Sequence, residues 1–255
     1  MACCVEAAGE SSPTKQGRPV TVGIGIIPRQ ETGLVLLTDG LNHGTDLEGG
    51  DHVWEGDDKL LALPDRKAAL VISGHVNDGS LDQLGLRKGA AAVRASLSKT
   101  AHPFSQADMR GLFGKIAALD AEVRGRRPKD DPDRYDELDE PGPGVIVAAL
   151  QPEGPPMLGR FSPVSERWAR PGETLVIGCV QLRPDLVEEL QRPAPDTIEE
   201  CRALAIDWAC RFMDRVFGRR DGYRMALETG QLPGVSLPLY VLTVRETNFD
   251  LEVIK

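Results

Sequence analysis

The sequence predicts an α+β fold of two stacked antiparallel sheets with a helix pair outside each. Three observations lead there. The predicted elements run as four strands, two helices, two or three strands, two helices and two closing strands. The strands come in pairs joined by short turns bearing Gly or Pro, which is hairpin connectivity. Their centres, such as Leu34-Val35-Leu36-Leu37 and Leu70-Val71-Ile72, are unbroken apolar runs. Strands with both faces covered read this way.

Residues 1–18 are small and polar and are expected to form a disordered tail or a removable leader. Residues 19–255 are expected to form a single domain. Its first strand is Val20-Thr21-Val22-Gly23-Ile24-Gly25-Ile26-Ile27. A polar loop, Pro28 to Gly33, leads into the second strand, which runs from Leu34 into the turn Asp39-Gly40. Residues 40–58 are rich in Gly and Asp and read as a long loop or weak strand. Lys59 to Asp65 and Ala68 to Gly74 are the third and fourth strands. A helix of moderate quality follows, from about Leu81 to Lys99. The next opens at Ser105, with Asp108 three residues on as a capping box and Met109, Leu112, Phe113, Ile116, Leu119 and Val123 on one face.

Residues 124–144 carry many charges with several Pro and Gly and read as an exposed insertion. Val145 to Leu150 and Met157 to Phe161 form a predicted hairpin, and Thr174 to Cys179 a further strand. A short helix spans Pro184 to Leu190. A longer one starts at the capping box Thr197/Glu200, with Ile198, Cys201, Ala205, Trp208 and Phe212 as its apolar stripe, and runs to about Val216. After a loop over 218–234, strands Leu239–Val244 and Phe249–Ile254 close the chain.

The composition narrows the function classes. In 255 residues, 41% are hydrophobic and 27% charged, the balance of a soluble globular protein. The net charge of −9 disfavours a general nucleic-acid or anionic-membrane binder, since both need a basic face. No apolar run reaches transmembrane length and no secretory signal is visible. The five cysteines are odd in number and lack zinc-ribbon spacing, which reads as a reducing, cytoplasmic chain with free thiols. His43, Asp51, His52 and Glu55 have no fixed ligand spacing, so no metal is expected, and no cofactor motif is found.

The order of the short motifs resembles the proteasome-type branch of the N-terminal-nucleophile hydrolases, a four-layer αββα sandwich. Thr21-Val22-Gly23-Ile24-Gly25-Ile26 is similar to that family's first strand, and Gly33 to Asp39 to its second, with Asp39 in the family's place. Asp58-Lys59-Leu60 resembles its lysine-bearing strand. Ser73-Gly74 resembles its glycine turn before the first helix. Ile177-Gly178-Cys179 resembles its Gly-Ser turn, with Cys where Ser is usual, and Asp214 its late acidic residue.

The resemblance implies that Thr21 is the nucleophile and that its own α-amino group, freed by cleavage of the leader, is the base. Such an amine titrates near neutral pH, so it can take and return a proton. Lys59 would stabilise the ionised hydroxyl, Asp39 would hold Lys59 charged, and Asp214 would support the nucleophile. Backbone N–H groups at Gly178, Cys179 or Gly74 would meet the oxyanion. Read from its own residue type, Cys179 is a small buried hydrophobe rather than a nucleophile.

The expected activity is therefore threonine-type peptide hydrolysis in a self-compartmentalised homo-oligomeric ring. The substrate would be an unfolded polypeptide or peptide, with an ATPase as a possible partner. Two other readings fit the same residues. Val20 precedes Thr21 where self-cleaving chains usually have Gly, and alignment on Val22-Gly23-Ile24 sets Pro19 nearest the nucleophile position; both suit a non-catalytic ring subunit. The fold also suits amide hydrolysis of a small molecule.

Overall fold

A computed structural model describes residues 21–45, 51–56, 59–64, 67–73, 105–126, 144–151, 153–162, 165–178, 184–218, 220 and 235–255. Twelve strands and three helices lie in these residues. The expected tail 1–18, the helix over 81–99, Gly74, Cys179 and most of the insertion and of the 218–234 loop lie outside them.

The first sheet has the order β10-β1-β2-β11-β12 and is antiparallel throughout. It comprises β1 (Val22–Ile26), β2 (Leu34–Asp39), β10 (Thr174–Gly178), β11 (Leu239–Val244) and β12 (Phe249–Ile254). The second has the order β5-β6-β7-β8-β9, also antiparallel. It comprises β5 (Leu60–Leu63), β6 (Ala68–Ser73), β7 (Gly144–Ala149), β8 (Met157–Ser162) and β9 (Ser165–Trp168). Helix α1 (Gln106–Arg126) covers the outer face of the second sheet. Helices α2 (Pro184–Leu190) and α3 (Ile198–Phe217) cover that of the first. The result is a four-layer αββα sandwich.

The apolar runs follow from this layering. In β2, Val35 and Leu37 pack with the α2–α3 layer, while Leu34 and Leu36 pack between the sheets. All four are fully buried, so the alternation of a one-sided strand has no place here. Gly23 lets the sheets close up: a Cβ there would stand 2.6 Å from the Ile177 Cγ1 of β10 and 2.8 Å from the Val71 Cγ1 of β6. Between the helices, Trp208 is fully buried, stacks on Phe212 and donates its indole N–H to the Leu186 carbonyl at 2.7 Å.

Both capping boxes form. The Ser105 hydroxyl accepts from the Asp108 amide at 3.1 Å, and the Asp108 carboxylate accepts from the Ser105 amide at 2.8 Å. Thr197 and Glu200 bond reciprocally in the same way at the start of α3. Glu31, from the β1–β2 loop, accepts the Ile198 amide at 2.7 Å and so ties that loop to the same helix end. Thr197→Ala is expected to lower stability by about 1 kcal/mol, read as a shift of the urea midpoint at unchanged slope.

The structure departs from the sequence reading in three places. Residues 40–58 contain a second hairpin, β3 (Leu41–Thr45) paired with β4 (Asp51–Glu55) as a separate two-stranded sheet. Residues 124–126 continue α1 rather than beginning the exposed insertion. The edge strand β9 had no sequence signal; Arg110 of α1 holds its Glu166 at 2.7 Å, and Trp168 meets Phe161 edge-on.

Candidate active site

The candidate site lies where β1 begins and β2 ends. The β1–β10 register sets Val22 opposite Gly178, and the β2–β11 register sets Asp39 opposite Leu239. Asp39 therefore leaves its strand between two neighbours, with no exposure to solvent. Its Oδ1 accepts the Val22 amide at 3.0 Å. Its Oδ2 accepts a bond from Lys59 Nζ at 2.9 Å.

Lys59 comes from the other sheet. It precedes β5, and its carbonyl accepts the Ile72 amide of the β6 ladder at 2.9 Å. The side chain crosses to Asp39 and is itself only 9% exposed. The β3–β4 hairpin occupies the chain between these partners. It is closed at its base by the Gly56 amide donating to the Gly40 carbonyl at 3.0 Å, so a long insertion costs the pair nothing in geometry.

Burial pushes the Asp39 carboxyl above the usual carboxylate range. Lys59 and the Val22 amide pull in the opposite direction without cancelling that effect. An ion pair this dry is costly to build and to break, because neither charge has water to return to.

Thr21 directly precedes the amide that Asp39 holds, and it is buried. Its carbonyl abuts Gly178: a Cβ at Gly178 would lie 1.5 Å from the Thr21 oxygen. Gly178 has φ of 96°, in the region that favours glycine. Ser73 ends β6 beside Gly144, donating its hydroxyl to the Gly144 carbonyl at 3.3 Å, and Gly144 in turn lies against Ile177.

Of the residues singled out in the sequence, Thr21, Asp39, Lys59 and Gly178 are thus brought to one end of the sandwich. Gly74 and Cys179 lie just beyond Ser73 and Gly178, outside the described residues. Asp214 takes a different partner. It sits in the last turn of α3, half exposed, and accepts the Arg220 Nε–H at 2.8 Å, with the Arg220 terminal amine on its other oxygen. That bond holds the Asp214 carboxyl below its ordinary range.

Two contributors escaped sequence reasoning. The Val22 amide is a backbone donor with no sequence signature. The Gly40 amide donates to the Pro238 carbonyl at 2.7 Å and anchors the turn after Asp39; only Asp39-Gly40, read as a turn, hinted at it.

Among the described residues, no group of three or more His, Cys, Asp or Glu side chains could hold a metal ion. No helix among them is long and apolar enough to cross a membrane.

Comparison with solved structures gives the same architecture. The chain is similar to the Anbu (Gly-1) mutant from Hyphomicrobium sp. strain MC1, with a TM-score of 0.57 and 12% identity over 92% of this chain and 87% of that one. It is also similar to Anbu in the helical assembly of the Anbu complex from Pseudomonas aeruginosa, with a TM-score of 0.56 and 16% identity over 91% of this chain and 85% of that one. The chain shares the fold of these proteins, the N-terminal-nucleophile-hydrolase-like sandwich. No family model and no curated protein sequence matches it.

Proposed function

We propose that this chain is a proteasome-like threonine peptidase with Thr21 as its nucleophile. The observation that carries the reading is the buried Asp39–Lys59 pair beside Thr21. A fold gains little stability from such a pair, since apolar residues of similar volume would serve as well or better. Its use is to fix an ammonium charge at one point inside a dry site, where it acts on a neighbouring hydroxyl with little screening.

In this mechanism the bond between Val20 and Thr21 is first cut, because an amide nitrogen cannot act as a base. The freed amine takes the Thr21 hydroxyl proton as Oγ attacks the scissile carbonyl. Lys59 steadies the developing alkoxide, and Asp39 holds the Lys59 ammonium in place. Backbone N–H groups around Gly178 and Gly74 receive the oxyanion. The C–N bond then breaks as the ammonium returns its proton to the leaving amine. Water hydrolyses the Thr21 ester by the reverse proton route. The substrate is a peptide or an unfolded polypeptide. The working form is a homo-oligomer, in keeping with the assembly named for the Pseudomonas aeruginosa Anbu protein, and an ATPase that feeds it is a further possible partner.

The test combines intact mass, native mass and peptide hydrolysis. The expected chain begins at Thr21, and Thr21→Ala lowers hydrolysis by about 1,000-fold or more while stability stays within about 1 kcal/mol of the parent. Undiminished hydrolysis in Thr21→Ala would overturn the assignment. A second reading, a non-catalytic subunit of the same assembly, is favoured by Val20 before Thr21. A full-length chain, oligomeric and without hydrolysis, would establish it in place of the first. Cleavage of small amides but not of peptides would keep the nucleophile and replace the substrate class.

A further inference from the structure

The exposed Asp214–Arg220 pair is connected to the buried one. Helix α3 ends at Gly218, whose φ of 68° turns the chain back so that Arg220 meets Asp214 through two parallel bonds. The Arg220 carbonyl accepts the Leu237 amide at 2.8 Å; the wholly buried Ser236 hydroxyl lies 3.3 Å from the same oxygen and makes its shorter bond, 2.7 Å, to the Leu237 carbonyl. The next carbonyl, of Pro238, accepts the Gly40 amide. Gly40 packs closely on this segment: a Cβ there would lie 2.6 Å from the Tyr240 ring and 2.9 Å from the Pro238 oxygen. Residues 236–238 thus link the Arg220 backbone to Gly40, the neighbour of Asp39 in sequence.

We propose that Arg220 is a positioning residue, which through residues 236–238 and Gly40 sets where Asp39 holds Lys59. This assigns Asp214 to the outer end of the same chain of contacts. The inference rests on the reading of Asp39–Lys59 as catalytic support, but its structural half is measured without activity. An exposed ion pair ordinarily contributes little to stability. This one closes the route between a helix end and the site, so its effect is on geometry.

The experiment uses Arg220→Ala, the charge-swapped double variant Asp214→Arg/Arg220→Asp, and Arg215→Ala as a control. Arg215, from the same stretch of α3, pairs with Asp185 of α2. Amide hydrogen exchange at Gly40 and Leu237 is followed by NMR, alongside kcat and KM for a peptide substrate. Arg220→Ala is expected to speed Gly40 exchange about fivefold and to lower kcat by a similar factor at unchanged KM. The swapped pair restores both, and Arg215→Ala changes neither. Arg220→Lys, which keeps the charge, gives an intermediate value and serves if the alanine variant does not fold. Unchanged Gly40 exchange in Arg220→Ala overturns the proposal, as does an equal change in Arg215→Ala. A parent protein without peptidase activity but with the expected exchange pattern would overturn the catalytic reading and leave the coupling standing.

Discussion

Asp39→Asn is expected to cost about 3–5 kcal/mol of stability and to abolish peptide hydrolysis. The carboxylate has no contact with water, and each of its oxygens receives a donor, Val22 N–H on one and Lys59 Nζ on the other. An amide of the same shape turns one of those oxygens into an N–H₂ group facing a donor. It also leaves the Lys59 ammonium buried and unpaired. In a chain of this size the loss corresponds to a fall in melting temperature of roughly 10 °C. Removing both charges together, as in Asp39→Leu/Lys59→Met, is expected to recover most of the stability and none of the hydrolysis. Urea denaturation of Asp39→Leu, Lys59→Met and the double variant closes the cycle. Single variants within about 1 kcal/mol of the parent would show that the pair is neither dry nor tightly coupled.

The pH dependence follows from the same burial. The folded state holds the Asp39 proton more tightly than the unfolded chain does, because desolvation raises its pKa. This group therefore favours folding most at pH below the ordinary carboxylate value, and that contribution declines as pH rises through the folded value. Hydrolysis needs the ionised form, so its acid limb should lie above the ordinary range for an aspartate. In Asp39→Asn this decline of stability as pH rises above the ordinary aspartate range should vanish, which denaturation at several pH values reads directly.

What the sequence reveals of this fold depends on whether an element carries its own signal. β2 and β6 were legible because burial on both faces demands an unbroken apolar run, and Leu34–Leu37 and Leu70–Ile72 provide it. α3 was legible from a capping box and a stripe at helical spacing. The hairpin of β3 and β4 was not, because Leu-Asn-His-Gly-Thr and Asp-His-Val-Trp-Glu alternate weakly and are strands through pairing with each other. Nor was β9, whose four polar or half-exposed residues are held by an arginine 56 positions earlier.

The same division runs through the site. Asp39 is legible as an acid at the end of a buried strand, and Lys59 only through the resemblance of Asp58-Lys59-Leu60 to a family motif. The Val22 amide and the Pro238 carbonyl could not be, since backbone groups leave no mark in a sequence. Asp214 was placed correctly on its helix, but its partner depends on the left-handed turn at Gly218 that brings Arg220 back. Gly178 was singled out as a hydrogen-bond donor. The structure gives it a further reason to be glycine.

That reason predicts a large effect for Gly178→Ala. The new methyl carbon would lie 1.5 Å from the Thr21 carbonyl oxygen and 2.6 Å from its carbon, and both atoms belong to the backbone of the neighbouring strand. No rotamer change relieves such an overlap; β10 must part from β1 at the site end. The backbone at φ 96° adds strain of about 1 kcal/mol or more for any residue with a Cβ. Gly218→Ala isolates that second effect. It also has positive φ, at 68°, yet a Cβ there would meet nothing within 4 Å. Gly218→Ala is expected to cost about 1 kcal/mol, whereas Gly178→Ala is expected to cost about 4 kcal/mol or more, or to leave no soluble protein. Urea denaturation of the two variants side by side makes the comparison. Equal stabilities would mean that Thr21 does not pack against Gly178, and the placement of Thr21 beside the Asp39–Lys59 pair would fall with it.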